Sequence, residues 1–248
     1  KGNWTSTLGS FLGKGIALVA NQRFSKPQEP RSYLSLSSIG MPCKRKLWYK
    51  VNRAGEGEPL TPNTLLKFFY GDMIEELLLS LAAGAGHYVA GEQCRLDVHG
   101  IKGHRDAVDV KSCSSYAFKK FKSGNLRDDD PFGYISQLSS YVYAGKDDPL
   151  VTDKTHGAFL AIDKQNGHVC LDVYDFTEEL KTKEKEMLEA KAMVVGDIPK
   201  ERIQPVPQSK TSPNTKLAMA CSYCEYKKLC WPDLRTFKYS YSIEHLVH

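Results

Sequence analysis

Four cysteines near the two ends of the chain place the tightest constraint on how this sequence can fold. Cys221, Cys224 and Cys230 form a C-x2-C-x5-C pattern, a spacing that wraps a chain around a metal ion or an iron–sulfur cluster. Three cysteines need a fourth ligand, and Cys43 is the best placed because it lies in a basic stretch, where positive charge favours the thiolate. A site shared by these four would join segments separated by 177 residues and would close a very long loop.

Two kinds of metal group fit these cysteines. Small zinc sites more often combine two local cysteine pairs, whereas a local trio with one distant cysteine resembles iron–sulfur ligation, which we favour. Zinc is the rival, and chance proximity of the trio is a remote third explanation. The other three cysteines, Cys94, Cys113 and Cys170, lie in apolar stretches typical of strands and are expected to be small core residues.

The composition excludes several classes of protein. Of the 248 residues, 41% are hydrophobic and 25% charged, as in ordinary globular proteins. No run of about 18 apolar residues occurs, and residues 1–20 lack the pattern of a signal peptide. Seven cysteines are an odd number, so paired disulfides are not expected and we predict a cytoplasmic location. The net charge of +5 is compatible with a polyanionic partner.

A second informative stretch, residues 104–112, is strand-like yet carries charged residues among apolar ones. Buried charge is unfavourable unless it is paired or bound to a metal. Residues two apart share a face of a strand, so Asp109 and Lys111 project together while Val110 points into the core. A carboxylate beside an ammonium suits metal-assisted phosphodiester cleavage. For an isolated Asp-x-Lys, however, a surface ion pair is the commoner explanation.

Asp106 fits this strand poorly. It stands three residues before Asp109, and on one straight strand an odd offset turns two side chains to opposite faces. Nothing in Ala107-Val108 is typical of a turn. We therefore predict that several residues are absent between Val108 and Asp109. An unbroken strand there would require a bulge or the removal of one carboxylate from the site.

Three further stretches carry candidate residues. Apolar residues at helical spacing predict a helix from about Asn63 to about Ala83, with Glu75 near its middle. On a second predicted helix, residues 131–144, Gln137 and Tyr141 are four apart and share a face. Between the two helices, lysines interleave with aromatic rings, a pattern that suits phosphates and stacked bases and equally a solvated amphipathic turn. These residues are Tyr116, Phe118, Lys119, Lys120, Phe121 and Lys122.

The remaining sequence gives a coarse outline. Two antiparallel strands are predicted from residue 87 to residue 108, and a third over residues 109–113. A strand pair over 157–163 and 168–174 is joined by Gln165-Asn166-Gly167, a hairpin turn signal. A charged amphipathic helix follows over 177–195, and residues 197–215 are linker-like.

Together these features resemble the iron–sulfur exonucleases of the PD-(D/E)XK superfamily. The resemblance is to the RecB/AddB-type nuclease domain, and most closely to the small CRISPR-associated exonucleases and their phage relatives. It runs from Cys43 to Cys230. The matching segments are Gly71–Glu75 for the first motif, Gly103–Asp106 for the second, Asp109–Ser112 for the third, Gln137–Tyr141 for the Q-x-x-x-Y motif, and Cys43, Cys221, Cys224 and Cys230 for the cluster ligands.

The resemblance implies an α/β fold, with a restriction-endonuclease-like central mixed β-sheet flanked by helices. One domain would span residues 1–248. Within it, residues 34–60 and 200–235 would together form a small subdomain around a 4Fe-4S cluster, with a structural role. The implied host is a bacterial, archaeal or phage-infected cell.

The resemblance also implies an activity. The chain would be a DNA exonuclease favouring single strands or ends, in recombination, repair or CRISPR-type spacer processing. Mg²⁺ or Mn²⁺ would be bound by Glu75, Asp106, Asp109 and the Val110 carbonyl. Lys111 would be the catalytic lysine. Gln137 would contact Lys111 or the substrate, and Tyr141 would contact the DNA. The DNA backbone would be bound by Lys119, Lys120 and Lys122. Bases would stack on Tyr116 and Phe118.

Two alternatives stay open. One is a structure-specific endonuclease working in a larger complex. The other is a non-catalytic iron–sulfur DNA-binding module, for which the cysteines and basic residues suffice. Each of these interpretations is compatible with a homo-oligomer and with partner proteins from recombination or CRISPR systems.

Overall fold

The computed structural model describes residues 4–24, 32–87, 95–99, 101–104, 108–149, 151–240 and 242–247. The helices are α1 (Trp4–Phe24), α2 (Lys44–Asn52), α3 (Pro62–Gly84), α4 (Ser115–Lys122), α5 (Tyr134–Ala144), α6 (Thr177–Val195), α7 (Met219–Ser222) and α8 (Lys227–Cys230). The strands are β1 (Arg95–Val98), β2 (Ile101–His104), β3 (Val108–Cys113), β4 (His156–Asp163), β5 (Val169–Asp175), β6 (Val206–Pro207), β7 (Thr215–Lys216), β8 (Arg235–Lys238) and β9 (Ile243–Val247).

A mixed three-stranded sheet lies at the centre, in the order β3-β4-β5. β3 and β4 are parallel, and α4 and α5 lie in the connection between them, as a parallel pair requires. β5 returns antiparallel to β4 after the predicted hairpin. Helices cover both faces of this sheet. The chain is therefore a mixed α/β protein whose mixed sheet is flanked by helices, as the sequence predicted.

The pairing register decides which side chains of β3 share a face. Asp109 lies opposite Phe159 and Lys111 opposite Ala161, so both project from the face of Phe159. α5 covers this face, since Gly157 of β4 lies directly against Leu138. The opposite face of β3 is covered by α3.

The first helix was not assigned from the sequence. α1 packs along α3, and Arg23 forms a two-pronged ion pair with Asp72, with Nε–Oδ2 at 2.5 Å and a second contact at 2.9 Å. Phe24 meets Phe69 edge to face at 5.1 Å between ring centroids. Arg23 thus holds α1 against α3, the helix that contains residues 71–75.

Several helices begin at residues other than those predicted from the sequence. α3 begins at Pro62 because the Thr61 side chain caps it, two residues before the predicted Asn63 cap. α5 begins at Tyr134, not at residue 131, because Gly133 adopts a left-handed conformation. Residues 115–122 form a helix, not a turn. α6 matches its predicted bounds.

The C-terminal region holds structure that the sequence did not indicate. β6 and β7 lie in the stretch predicted to be a linker, and they join β9 and β8 in a four-stranded antiparallel sheet, in the order β6-β7-β9-β8. The predicted strand from residue 87 lies mostly outside the described residues. None of the described helices is both long enough and apolar enough to span a membrane.

Candidate functional site

Asp109 and Lys111 form the centre of the candidate site. The Lys111 Nζ lies 2.8 Å from Asp109 Oδ2, and the two side chains are 19% and 13% exposed. They project together as the alternation of a strand predicts. Burial of both charges means that the pair is desolvated far more than a surface ion pair.

The carboxylate keeps unused acceptor capacity. Asp109 Oδ2 is buried and accepts no hydrogen bond of ordinary geometry, although the Lys111 ammonium is close enough for an ion pair. Buried polar oxygens normally have such partners, so each exception calls for an explanation. An ionised carboxylate accepts only, and a cation or a donor from a ligand would complete its surroundings.

The Tyr134 ring lies against the Lys111 ammonium, a contact that the sequence analysis did not predict. The Lys111 Nζ lies 4.6 Å from the centroid of the Tyr134 ring and 5.9 Å from that of Phe159. These are cation–π distances. Burial, followed by the charges of Asp109 and Asp130, raises the pKa of the Tyr134 phenol. The available signal was an aromatic residue one helical turn before Gln137.

The start of α5 is fixed by local contacts, and these set the position of Tyr134. Gly133 has a φ of 75°, a conformation that favours glycine. Asp130 Oδ2 accepts a hydrogen bond from the Ile135 backbone N–H at 2.8 Å. The helix therefore begins directly before Tyr134.

Gln137 and Tyr141 share a face of α5, as predicted. The Gln137 amide Nε2 donates to the Tyr141 hydroxyl at 2.8 Å. Tyr141 is only 8% exposed and belongs to the main core. Phe118 is also a core residue. Phe118 was expected to stack on a base, but its ring is buried against other side chains, so Phe118 is corrected to a core residue. Tyr141 was expected to contact DNA, and its ring lies in the same core.

The rest of the lysine–aromatic segment is more accessible. Tyr116 is 74% exposed, and Lys119 and Lys122 lie at the surface on the last turn of α4. Lys120 forms an ion pair with Asp129 and lies 5.6 Å from the Tyr116 ring. The predicted backbone contacts of α4 therefore rest mainly on Lys119 and Lys122.

The predicted break in β3 is absent. The strand is continuous, with Val108 opposite Ala158 and Asp109 opposite Phe159. This one-to-one register leaves no room for a segment between Val108 and Asp109, so that prediction is wrong. The change of strand occurs earlier, between the end of β2 at His104 and the start of β3.

The structure does not bring the other predicted metal ligands together beside Asp109 within the described residues. Asp106 precedes β3 and lies outside the described residues. Glu75 follows Gly71 by one turn of α3, and Gly71 lies against Ser112, on the face of β3 opposite to Lys111. The Val110 carbonyl belongs to β3, between the two charged residues. Within the described part of the chain, no group of three or more His, Cys, Asp or Glu side chains is arranged to hold a metal ion.

The four cysteines from the two chain ends line one pocket, which we call the cysteine pocket. Cys43 is the N-cap of α2, where its sulfur accepts from the Lys46 backbone N–H at 3.4 Å. The described cysteines form no disulfide. The lining residues are Cys43, Lys46, Tyr49, Arg202, Ile203, Cys221, Cys224, Tyr226, Lys227, Cys230 and Trp231.

Contacts between α2 and the C-terminal segment build this pocket. Tyr49 stacks on Tyr226 at 5.4 Å between ring centroids. Lys46 forms an ion pair with Glu225 at 3.3 Å, and the Glu58 N–H donates to the Glu225 carbonyl at 2.7 Å. Residues 34–60 and 200–235 therefore meet directly.

The thiols are in surroundings that disfavour their charged form. Burial, followed by the neighbouring thiols, raises the pKa of Cys221 to about 12. Burial likewise raises the pKa of Cys224 to about 11. A cationic group in the pocket would reverse this, because thiolates are the metal-ligating form. Four thiols facing one pocket are a donor set that fits iron–sulfur ligation.

The loop before Cys43 packs directly on the start of α5. Gly40 has a φ of 74°, and a Cβ there would lie 1.6 Å from Ser136 Oγ. A Cβ on Gly133 would lie 3.2 Å from the Gly40 carbonyl oxygen. Ser136 also donates to Glu186, which pairs with the buried Lys183 of α6. The cysteine pocket and the Lys111 site are therefore connected through this loop.

Comparisons with known proteins add little. No protein-family model matches the sequence, and no curated protein matches it significantly. Among solved structures, the crystal structure of SSO0001 is similar with a TM-score of 0.43 and 13% sequence identity, over 90% of this chain and 95% of that one. We take neither fold nor function from a similarity of this size.

Proposed function

We propose that the chain is a divalent-metal-dependent deoxyribonuclease of the PD-(D/E)XK type that degrades single-stranded DNA from an end. The observation that supports this most is the partly buried Asp109–Lys111 pair on one strand, with the Lys111 ammonium 2.8 Å from Asp109 Oδ2. A carboxylate beside an ammonium suits metal-assisted phosphodiester cleavage.

A metal ion would be held by Asp109 and the Val110 carbonyl, with Asp106 as the further carboxylate that the resemblance implies. We leave Glu75 out of this set, because α3 covers the face of β3 opposite to Asp109 and Lys111. A Mg²⁺ or Mn²⁺ ion would supply charge stabilisation at the scissile phosphate and would make a water molecule more acidic. Oxygen ligands of this kind suit either ion.

Side chains of the protein stabilise the developing charge and orient the reacting groups. The Lys111 ammonium offsets negative charge that develops on the phosphate, and it orients the attacking water. Tyr134 and Phe159 hold that ammonium from one side and exclude water from it, which strengthens its electrostatic effect. Gln137 lies on α5 one turn after Tyr134, where it can orient the substrate.

The cysteine pocket would hold a 4Fe-4S cluster with a structural role. The four thiols that line one pocket are a donor set that fits such a cluster. The cluster would join the chain ends and, through the loop containing Gly40, support the start of α5.

The test is cleavage of end-labelled single-stranded DNA by the purified protein, with and without Mn²⁺. We expect cleavage that requires the metal, and a loss of at least about a hundredfold in Lys111→Ala. DNA binding should remain. Lys185→Ala, on the exposed face of α6, is the matched control and should cleave normally.

Two results would count against this proposal. Degradation of a closed circular single strand would favour the endonuclease alternative. Equal behaviour of Lys111→Ala and the unaltered protein would favour a non-catalytic iron–sulfur DNA-binding module. That module is the second candidate, since the described residues bring no third metal ligand beside Asp109.

A further inference from the structure

The C-terminal four-stranded sheet takes no part in the proposed chemistry. β8 is its outer strand, and all four residues of β8 are exposed. Edge strands of this kind are usually protected from unwanted pairing, often by charged side chains. β8 carries charges, but it also exposes the Phe237 ring, and Tyr239 is exposed directly after it. Protection against association would not require these rings.

The positive charge of the whole chain is concentrated in this region. Residues 200–248 contain eight lysines and arginines against four carboxylates, a net charge of +4. The entire chain carries +5. Residues 1–199 are therefore nearly neutral, and a polyanion would be attracted mainly to the C-terminal fifth of the protein.

Cations and rings alternate along the exposed strand. Arg235 and Phe237 share one face of β8, Lys238 lies on the other, and Tyr239 opens the turn that leads to β9. Phe237 is 41% exposed and Tyr239 is 55% exposed. Among the described residues, neither Arg235 nor Lys238 has an ion-pair partner.

Among the described strand residues of this sheet, Glu244 is the carboxylate, and it is already neutralised. Glu244 lies opposite Phe237, but it pairs with Lys216 at 3.5 Å and accepts a hydrogen bond from Gln208 at 2.8 Å. The unpaired charges of this surface are therefore positive.

The sheet is also attached to the cysteine pocket. Val247 of β9 packs with Leu217 and Trp231, and the same cluster includes Cys221 and Cys230 at its margin. Burial, followed by the charge of Lys227, lowers the pKa of His245, and the Glu58 carboxylate acts in the opposite direction.

We propose that the β8–β9 hairpin is a binding surface for single-stranded DNA. Bases stack on Phe237 and Tyr239, while Arg235 and Lys238 contact phosphates, the combination that binds single strands without sequence preference. A duplex keeps its base faces inside the helix and has no use for the exposed rings. This inference rests on the proposed function only in its choice of DNA, and it adds a contact surface distinct from the lysines of α4.

The experiment measures the affinity of the full-length holoprotein for a fluorescein-labelled oligothymidylate by anisotropy, in buffer without Mg²⁺ or Mn²⁺ so that no cleavage occurs. We expect Phe237→Leu to raise Kd about tenfold, or about 1.4 kcal/mol. The double variant Arg235→Gln/Lys238→Gln should reduce the slope of log K against log salt by about 1.4.

The matched control is Lys181→Gln/Lys185→Gln, which removes the same charge from the exposed face of α6 and should leave both quantities unchanged. Thermal unfolding at the midpoint of the unaltered protein would show that each variant is folded. Unchanged affinity in Phe237→Leu overturns the inference. An equal loss of affinity for a labelled duplex also overturns it, because it would show phosphate binding without stacking.

The outcome separates this inference from the proposed function. If the unaltered protein shows no Mn²⁺-dependent cleavage while Phe237→Leu weakens oligothymidylate binding, the binding surface stands and the nuclease fails. If cleavage depends on Lys111 while Phe237→Leu binds normally, the nuclease stands and the surface fails.

Discussion

The Asp109–Lys111 pair and the cysteine pocket are assembled over very different distances along the chain. The two charged residues are neighbours on one strand, and each offsets the charge of the other. The cysteine pocket joins Cys43 to a segment that begins after 177 intervening residues. Lys46, Arg202 and Lys227 also line this pocket, but burial still raises the pKa of Cys221 and Cys224.

This difference shows two ways of building a polar site in a protein interior. The strand pair carries its own counter-charge, because the Lys111 ammonium lies beside the Asp109 carboxylate and neither ion is left uncompensated. The cysteine pocket brings together groups whose charged form is unfavourable there, and a bound cationic group would change that balance. We therefore expect substitutions in the pocket to affect folding most, and substitutions around Lys111 to affect the reaction most.

The largest expected effect is that of Cys221→Ser. With one thiolate ligand removed, we expect loss of bound iron and of the visible absorption band, and destabilisation on the order of 4 kcal/mol. Metal analysis, absorption spectra and urea unfolding of the holoprotein measure these quantities. Cys170→Ser, on β5 outside the pocket, is the control and should keep its iron.

Retention of iron and colour in Cys221→Ser would break the comparison, because the pocket would then not be a cluster site. A colourless unaltered protein that contains zinc would identify the rival metal. In that case the long connection would remain, but the chemistry of the pocket would change.

Gly40→Ala tests the loop that connects the two regions. The new Cβ would lie 1.6 Å from Ser136 Oγ and 2.3 Å from Ser136 Cβ, so rotation of the serine cannot relieve the overlap. With the strain of a positive φ, we expect destabilisation of about 3 kcal/mol in urea unfolding. Gly124→Ala is matched to it, with a φ of 69° and open space around the new Cβ, and should lose about 1 kcal/mol.

If Gly40→Ala and Gly124→Ala lose the same free energy of unfolding, the loop containing Gly40 does not pack closely against α5. If only Gly40→Ala is destabilised, we also expect it to lose iron and cleavage together. Such a joint loss would sharpen the comparison, since it would show that the cysteine pocket and the Lys111 site depend on one shared contact.

Tyr134→Leu should have the smallest effect, confined to the reaction. It removes the ring beneath the Lys111 ammonium, and cation–π contacts of this kind contribute about 0.5 to 2 kcal/mol. We expect kcat for Mn²⁺-dependent cleavage to fall about tenfold, with little change in KM. Tyr134→Phe keeps the ring and should stay within about twofold of the unaltered protein. Equal losses in both variants would assign the role to the hydroxyl instead.

Much of the central sheet and its helices followed from local patterns. The hairpin turn at Gln165-Asn166-Gly167, the bounds of α6 and the shared face of Gln137 and Tyr141 all depend on residues close in sequence. The side-by-side placement of Asp109 and Lys111 follows from strand alternation alone. Patterns of this length need no knowledge of the rest of the fold.

Other features could not be predicted because they depend on distant partners. Phe118 and Tyr141 were interpreted as DNA contacts, but neighbouring helices and strands bury them. β6 and β7 are each two residues long, too short for any periodicity. They form because β6 pairs with β7 and β9 returns beside β7. Tyr134 became a site residue only once the sheet placed Lys111 beneath α5.

The sequence by itself determined the donor types and their spacing: a carboxylate and an ammonium two residues apart, and a local cysteine trio with one remote cysteine. Those are properties of consecutive residues and of periodicity. Only the tertiary structure decided that Cys43 faces the trio and that Lys111 lies against Tyr134. Both contacts come from packing between segments far apart in the chain, where burial and not local preference selects the neighbours.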